Sequence, residues 1–389
     1  MSKTQHGYMI IADITGYTAF LSGSELEHAE DSLRSLIGLL IEQTQVPLLI
    51  SRLEGDAVIS YADKRSILQG QTLVEMMEST YVAFKRAIEL MVLNTTCTCN
   101  ACRNISNLDL KFFVHYGTYM LQQLPAYTEL IGTDVNTVHR LTKNSIKEKI
   151  GCEAYVAYSE AAVEALQIQE LAKTMAAHTE EYDHIGAVNM FVQDMAAVWE
   201  RRKEGSRILV TSEDALITCE FEYPLAPMLM WDYVTKPEFK AMLSGSDTAV
   251  IDNMDNGRIS LDSAYICAHG KSITPQTVVD WQPFEQFTIH SPIPMGMYVY
   301  WTTYLEPTKT GTKVTSLSSE LQGSSSLVRK LMMVFMRQVV IKTTMEGFEK
   351  LGVQIEKDIQ EGAVYQPDAA AVEFDVGALR AAMAENMAA

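Results

Sequence analysis

The chain has 389 residues, enough for two or three compact domains, and its 47% hydrophobic and 21% charged residues exclude wholesale disorder. Lys and Arg number 31 against 49 Asp and Glu, which gives a formal net charge of −18 at pH 7. Because such an acidic surface repels phosphate backbones and anionic lipids, it argues against nucleic-acid or membrane-surface binding as the main activity. Any nucleotide that the protein handles should therefore come with a metal ion.

No apolar run approaches the roughly 18 residues that span a bilayer. The N-terminal sequence enters a strand-like run directly, with neither a basic segment nor a small-residue cleavage site. Six Cys in a chain of this length do not indicate a disulfide scaffold. We therefore expect a cytoplasmic protein with no membrane span and no nucleic-acid partner.

Apolar patterning divides the chain into two predicted domains, 7–198 and 208–360. A charged linker at 199–207 separates them, and a tail at 361–389 follows.

The first predicted domain begins with a strand at Tyr8–Ala12 and an amphipathic helix. Two hairpins follow, one turning at Glu54-Gly55-Asp56 and one between Leu110–His115 and Thr118–Gln122, with a long helix between them. A helix from Asn136, a strand at Ala154–Tyr158 and a helix at Ser159–Leu166 complete it. This order predicts an α+β fold with helices on one face of an antiparallel sheet.

The second predicted domain consists of short strands and turns, followed by one long helix at Ser326–Ile359. A curved antiparallel sheet wrapped around a long terminal helix is expected to leave an apolar cavity between them.

Two carboxylates stand where a metal site would need them. Asp13 ends the first strand, before a turn containing Gly16, and Asp56 lies at the tip of the first hairpin. If that strand pairs beside that hairpin, the two side chains face each other and suit Mg²⁺ or Mn²⁺ holding a triphosphate. The alternative is that both are ordinary turn residues.

Three segments in order resemble the motifs of class III nucleotidyl (adenylate and guanylate) cyclases. They are Ala12-Asp13-Ile14-Thr15-Gly16-Tyr17-Thr18, then Leu53-Glu54-Gly55-Asp56-Ala57, then the segment from Gly132 to Leu141 with Asn136 and Arg140 four residues apart. The resemblance covers about residues 7–195 and implies a ferredoxin-like cyclase domain. A helix would place Asn136 and Arg140 on one face.

The resemblance implies roles for individual residues. Asp13 and Asp56, with Ile14, would bind two Mg²⁺ or Mn²⁺ ions, and Gly16, Tyr17 and Thr18 would hold the terminal phosphates. Asn136 and Arg140 would act on the substrate from the other subunit of a homodimer. The implied reaction is attack of the ribose 3′-hydroxyl on the α-phosphate.

Two departures from the family pattern concern substrate binding. Arg52 and Glu129 stand where the family carries its adenine-selecting Lys and Asp, so charge signs are kept and ATP is favoured over GTP. The family's phosphate-binding Lys has no counterpart in the stretch His178–Gly186, which contains no Lys. These motifs therefore lack one positive charge that would bind the phosphates of the triphosphate.

A cysteine loop, Cys97-Thr98-Cys99-Asn100-Ala101-Cys102, is foreign to the usual cyclase pattern and resembles that of an uncharacterised bacterial cyclase-homology subfamily. Cys97, Cys99 and Cys102 could hold Zn²⁺, with Cys152 or His115 as a fourth ligand. The alternative is reduced thiols in a surface loop.

The second domain resembles the START-like (SRPBCC) helix-grip fold in three segments, Pro224–Val234, Val278–Phe284 and Tyr304–Pro307, and in its long terminal helix. The resemblance implies a cavity for a lipid or another hydrophobic small molecule. The residues expected on its wall are Trp231, Phe239, Trp281, Phe287, Tyr298, Trp301, Met332, Phe335 and Met336. The alternative is that most of them are plain core.

Two functions remain open at this point. The first is a homodimeric adenylate cyclase involved in cyclic-nucleotide signalling, modulated by an apolar ligand in the second domain. The second is a catalytically degenerate cyclase-homology protein that binds nucleotide or lipid as a regulator. We favour the first, because facing carboxylates repel each other and are costly to keep unless a cation lies between them.

Overall fold

The computed structural model describes residues 4–66, 69–94, 99–123, 128–204, 207–270, 272–323 and 326–364. The chain divides into two compact units, Met1–Gly205 and Ser206–Val364. None of the helices in these described ranges is long and apolar enough to cross a membrane. Most of the predicted tail, from residue 365 onward, lies outside the described residues.

The first unit contains eight strands and nine helices in its described parts. The strands are β1 (Gln5–Thr15), β2 (Leu49–Glu54), β3 (Ala57–Asp63), β4 (Asp109–Gln123), β5 (Thr128–Ile131), β6 (Tyr155–Ser159), β7 (Ala176–Tyr182) and β8 (Gly186–Asp194). The helices are α1 (Tyr17–Ser22), α2 (Leu26–Thr44), α3 (Gly70–Asn94), α4 (Asn100–Asn104), α5 (Thr133–Leu141), α6 (Ile146–Ile150), α7 (Glu160–Leu166), α8 (Gln169–Ala172) and α9 (Met195–Glu204).

The strands of this unit form one sheet in the order β2-β3-β1-β4-β6-β8-β7, with β5 paired to β4. β1 runs antiparallel to both β3 and β4, and among the strands that the structure describes only the β4–β6 pair is parallel. The first four strands and the helices between them therefore follow the β-α-β-β-α-β order of ferredoxin-like folds. The α+β class predicted from the sequence is confirmed.

One sheet face carries the apolar core against which α5 packs. Met9, Ile11 and Phe113 contribute from the sheet, and Val135, Val138 and Leu141 contribute from α5. Because these helix positions recur every three to four residues, burying them turns the intervening polar residues of α5 away from the core. This packing fixes the direction in which Asn136 and Arg140 point.

The second predicted hairpin is wrong. Gly117 does not turn the chain, because β4 runs unbroken from Asp109 to Gln123 and Gly117 pairs with Gly7 across the sheet. A Cβ at Gly117 would collide with the carboxyl group of Asp134. Glycine is needed here for close approach of a side chain and not for a turn.

The predicted linker is also corrected. Residues from Trp199 to Glu204 continue α9, and Trp199 is buried. The apolar residues of α9 pack on the first unit, so this charged run ends a helix of that unit.

The second unit is a seven-stranded sheet with three helices in its described parts. The strands are β9 (Ile217–Tyr223), β10 (Thr248–Asp252), β11 (Ala264–His269), β12 (Ser272–Gln282), β13 (Gln286–Ile293), β14 (Met297–Pro307) and β15 (Thr312–Ser318), and the helices are α10 (Pro227–Thr235), α11 (Pro237–Ser244) and α12 (Ser326–Gln360). The sheet order is β10-β11-β12-β13-β14-β15-β9, antiparallel throughout. The predicted long terminal helix is present as α12.

Candidate functional site

Asp13 and Asp56 lie side by side at one end of the sheet. β1 pairs with β3 so that Asp13 is opposite Ala57, the residue that follows Asp56. Burial raises the pKa of Asp13, and the nearby Lys111 only partly offsets this. Burial and the charge of Asp13 together raise the pKa of Asp56 to about 6. The two carboxylates therefore repel each other, and a divalent cation between them would relieve that repulsion.

The turn after Asp13 brings the predicted phosphate-binding residues next to this pair. Gly16 has a φ of 87°, a left-handed conformation that favours glycine, and its carbonyl accepts a hydrogen bond of 2.9 Å from the amide of Phe20. Burial and the charge of Asp56 raise the pKa of the Tyr17 hydroxyl. Ile14 is buried within β1, opposite Leu110.

A cavity of about 880 Å³ opens beside Asp13. Its wall combines residues from β1, the β2–β3 hairpin, α5 with the turn after it, and the β7–β8 turn. These are Ile11, Asp13, Arg52, Glu54, Ala57, Thr133, Asn136, His139, Arg140, Thr142, Lys143, Asp183, His184 and Ile185. A single chain thus brings Asp13, Asn136, Arg140 and Arg52 to one cavity, whereas Asp56, Glu129 and the Gly16–Thr18 turn are not among its wall residues.

Arg52 and Glu129, expected to select the base, form an ion pair with each other. They are 77 positions apart, and they meet because β2 and β5 lie near each other in the fold. Nη2 of Arg52 also lies 3.5 Å from Oε2 of Glu54, and the same oxygen lies 3.6 Å from Nδ1 of His139. Burial lowers the pKa of His139, so this imidazole is neutral at pH 7. At the cavity wall, Arg52 can therefore donate hydrogen bonds and Glu54 can accept them.

Sequence reasoning missed Lys143 as a second cation beside Arg140. Both side chains are exposed on the cavity wall, and neither forms an ion pair with any residue that the structure describes. Two unpaired cations facing one cavity are unusual in a chain with an excess of acids. Lys143 lies three positions after Arg140, in the turn that follows α5, and this spacing could have indicated it.

The β7–β8 turn reaches the cavity at the place of the missing Lys. Asp183, His184 and Ile185 line the wall there, so the turn brings an acid and an imidazole but no lysine. Glu180 anchors its strand by accepting hydrogen bonds from the amide and hydroxyl of Ser145 and from His178. Burial opposes its ionisation, but these hydrogen bonds outweigh it and lower the pKa of Glu180 to about 2.

Asp134 braces the start of α5. Its carboxylate accepts hydrogen bonds from the amide and hydroxyl of Thr118, at 2.6 and 2.8 Å, and lies 3.6 Å from Nε2 of His115. Nδ1 of His115 is 2.8 Å from the hydroxyl of Ser159. His115 is therefore part of this brace and not a ligand for the cysteine loop.

The fit of the first site to a divalent metal rests on the repelling carboxylates. Among the described residues, no group of three or more His, Cys, Asp or Glu side chains is arranged to hold a metal. Mg²⁺ commonly takes one or two carboxylates and completes its shell with substrate phosphates and water, so the Asp13–Asp56 pair fits it.

For the predicted zinc site, Cys97 lies outside the described residues. Cys99 caps α4, where its sulfur is 3.4 Å from the amide nitrogen of Cys102. Zinc binding stays a prediction.

The predicted wall residues of the second unit do not form one group. Trp231, Trp281 and Phe287 pack together, with ring centroids between 4.8 and 5.8 Å apart. Trp301 pairs with Ile289, so these two side chains share a sheet face. Phe287 is two positions from Ile289 on β13 and therefore lies on that face as well. Phe239 is half-buried against Tyr233, and Met332 is half-buried on α12. Phe335 and Met336 lie outside the residues whose side chains are described.

Tyr298 is a correction to the predicted wall. It is an odd number of positions from Trp301 on β14, so its side chain lies on the opposite sheet face. There its ring contacts His290 and Tyr300, with centroids 5.0 and 5.7 Å away.

Comparison with known proteins gives one family and one curated relative. Residues 33–150 match the family DUF2652, described as a protein of unknown function. The "Uncharacterized protein Rv2561/Rv2562" of Mycobacterium tuberculosis is 26% identical over 149 residues, which cover 38% of this chain. The chain spans 66% of that relative's length.

Among solved structures, the chain is similar to cyclases. A bacterial light-regulated adenylyl cyclase is 11% identical with a TM-score of 0.37, over 52% of this chain and 57% of its own. The guanylyl cyclase Cya2 is 12% identical with a TM-score of 0.37, and the match covers 49% of this chain and 92% of Cya2. The adenylyl cyclase CyaB from P. aeruginosa is 14% identical with a TM-score of 0.36, and the match covers 50% of this chain and 96% of CyaB.

Proposed function

We propose that the first unit is a nucleotidyl cyclase that converts ATP to cyclic AMP and pyrophosphate with two divalent metal ions. The observation that carries this proposal is the Asp13–Asp56 pair, in which burial and the charge of Asp13 raise the pKa of Asp56 to about 6, beside a cavity that also holds Asn136 and Arg140. Coupled carboxylates at the end of a strand are costly without a cation. Their retention supports a metal-dependent activity.

The charges around the cavity support a metal-bound triphosphate as the substrate. Asp13 provides negative charge at one side, where metal would bind, and Arg140 and Lys143 provide positive charge on α5 and the turn after it. In the homodimer proposed below, a triphosphate held by metal at Asp13 of one chain and by Arg140 and Lys143 of the other would neutralise both charges. Lys143 thereby takes the place of the phosphate-binding Lys that the cyclase motifs lack here.

The residues divide the chemistry between them. The metal ions would lower the pKa of the ribose 3′-hydroxyl and balance charge on the phosphates. Asn136 orients the ribose, and Arg140 stabilises charge on the α-phosphate as the bond from O3′ to phosphorus forms. The bond from the α-phosphorus to the bridging oxygen breaks, the hydroxyl proton passes to water, and pyrophosphate leaves.

The ion pair of Arg52 and Glu129 supports adenine as the preferred base, and hence ATP as the substrate. Adenine presents an amino group that donates and a ring nitrogen that accepts, and Glu129 accepts while Arg52 donates. Guanine presents the reverse pattern at these positions, which would place its carbonyl oxygen against a carboxylate.

We further propose that the active form is a homodimer in which each site takes Asp13 from one chain and Arg140 from the other. Mixing inactive Asp13→Ala protein with inactive Arg140→Ala protein should then restore about a quarter of the wild-type activity, because half of the dimers would hold one intact site. Since both residues line one cavity of a single chain, a mixture that stays inactive would place the complete site within one chain.

For the second unit, we propose that an apolar ligand binds between the sheet and α12 in a START-like manner and modulates the first unit. The aromatic residues Trp281, Phe287 and Trp301 on one sheet face support an apolar site. Met332 on α12 is half-buried, and the flexibility of a methionine side chain suits a pocket that adapts its shape.

The test of the cyclase is product formation by the full chain with ATP, GTP, CTP and UTP in Mn²⁺, beside Asp13→Ala. We expect cyclic AMP that disappears in the variant. Metal-dependent nucleotide binding without any product would favour the alternative, a degenerate cyclase that acts as a regulator. The lack of a lysine on the β7–β8 turn is the observation that favours that alternative.

A further inference from the structure

His139 is an imidazole that stands between the two residues proposed to act on the substrate. It lies on α5, three positions after Asn136 and directly before Arg140, and all three side chains line one cavity. Residues three and four positions apart share a face of a helix. The side chain of His139 is 28% exposed, so a molecule bound in the cavity can reach it.

A carboxylate lies beside one nitrogen of this ring. Nδ1 of His139 is 3.6 Å from Oε2 of Glu54 on β2, and contacts of this kind are commonly long before a substrate binds. Nε2 has no hydrogen-bond or ion-pair partner among the residues that the structure describes. With its proton on Nδ1, towards the carboxylate, the neutral ring keeps a lone pair on Nε2 that can accept a proton.

The charges near the ring suit an imidazole that changes between its neutral and protonated forms. The other charged or titratable side chains on the cavity wall are Asp13, Arg52, Glu54, Arg140, Lys143, Asp183 and His184. Burial lowers the pKa of His139, the charge of Arg52 acts in the same direction, and the charges of Glu54 and Glu129 oppose both. The resting ring is therefore neutral, and two carboxylates stabilise the imidazolium that forms when it takes a proton.

The position of His139 on α5 directs it to the sugar of a bound nucleotide. In the proposed reaction Asn136 orients the ribose, and three residues of helix rise by only about 4.5 Å. A group one turn after Asn136 on the same face therefore lies within reach of the hydroxyls of that sugar. His139 also comes from the same chain as Asn136 and Arg140, so the proposed homodimer places all three in one site.

We propose that His139 is the general base of the cyclisation and that its Nε2 accepts the proton of the ribose 3′-hydroxyl. As the proton moves, the bond from O3′ to the α-phosphorus forms. The bond from that phosphorus to the bridging oxygen breaks, and its electron pair leaves with pyrophosphate. The imidazolium then passes its proton to water, which restores the neutral ring. The inference rests on the proposed cyclase activity and specifies the first acceptor of its hydroxyl proton.

The test measures cyclic AMP formation from ATP and Mn²⁺ by full-length variants. His139→Ala should lower kcat by at least about 100-fold with little change in KM, because the base acts in the transition state. Imidazole in the buffer should restore at least about tenfold of this loss by accepting the proton in place of the missing ring. His6→Ala is the matched control: it removes an exposed histidine of β1 opposite Thr118, and it should keep the wild-type kcat and not respond to imidazole.

A second variant separates proton transfer from hydrogen bonding. His139→Gln keeps a polar side chain but accepts no proton at neutral pH, so it should be as slow as His139→Ala, and it carries the test if the alanine variant folds poorly. Near wild-type activity of either folded variant would overturn the proposal, as would a slow, folded His139→Ala that imidazole does not accelerate. A wild type that forms no cyclic AMP would instead overturn the proposed cyclase itself.

Discussion

Asp13 lies in β1 and Asp56 in the turn between β2 and β3, yet the charge of Asp13 is, after burial, a cause that raises the pKa of Asp56 to about 6. Burial raises the pKa of both. Because the folded state then binds more protons than the unfolded state between about pH 4 and 6, stability of the metal-free protein falls as pH rises through this window.

The first prediction concerns Asp56→Asn. In chelator at pH 8 the variant should be more stable than the wild type by about 1 to 2 kcal/mol, allowing for the exposed part of the carboxyl group. The difference should vanish near pH 4. Added Mn²⁺ should raise the melting temperature of the wild type but not of the variant. A wild type that Mn²⁺ leaves unchanged at pH 8 would contradict a metal site here.

The second prediction concerns base selection by the Arg52–Glu129 pair. Glu129→Gln replaces an acceptor by a group that also donates, so the kcat/KM for ATP relative to GTP should fall at least about tenfold. Arg52 keeps Glu54 at 3.5 Å as a partner, so its position should change little. Steady-state kinetics with both nucleotides measure this. An unchanged ratio would remove Glu129 from base selection.

The third prediction concerns Lys143. Lys143→Ala should raise the KM for ATP about tenfold, because one charge on the phosphates is lost. Lys147→Ala is the matched control: Lys147 is exposed and lies 2.8 Å from Glu153, away from the cavity wall. If both variants behave alike, Lys143 has no specific role in phosphate binding.

The sequence predicted those parts of the site that depend on local pattern. Asp13 and Asp56 could be placed because each sits in a short motif next to a strand end or a turn. The partnership of Arg52 and Glu129 depends on how two distant strands pack, so the motifs alone indicated only a shared role. Lys143 lies after the motif of α5 and carries no signal except its spacing from Arg140.

The wrong predictions share a physical cause, which is that tertiary context decides what a local pattern means. A glycine between two apolar runs predicts a turn, but Gly117 lies within β4 and leaves room there for the side chain of Asp134. The START-like resemblance puts Tyr298 on the cavity wall, whereas strand alternation places its ring on the opposite sheet face, beside His290. The residues Trp199–Glu204 appeared polar enough for a linker, yet Trp199 anchors them as helix.

The fourth prediction concerns Glu180, which holds β7 against the segment before α6. Glu180→Gln should destabilise the protein by about 1 to 3 kcal/mol at pH 7, because charge-assisted hydrogen bonds from Ser145 and His178 are weakened. The depressed pKa means that this stability is present above pH 4.5 and is lost as pH falls towards about 2. Denaturant unfolding with Glu181→Gln, an exposed neighbour, as control measures it. Equal effects of the two substitutions would contradict the anchoring role.

The most direct test of the account is the stoichiometry of products from ATP and Mn²⁺, with wild-type protein beside Asp56→Asn. The account predicts one pyrophosphate for each cyclic AMP with the wild type and neither product with the variant. Folded wild-type protein that binds Mn²⁺ and ATP but releases no cyclic AMP, or releases ADP and phosphate instead, would contradict it.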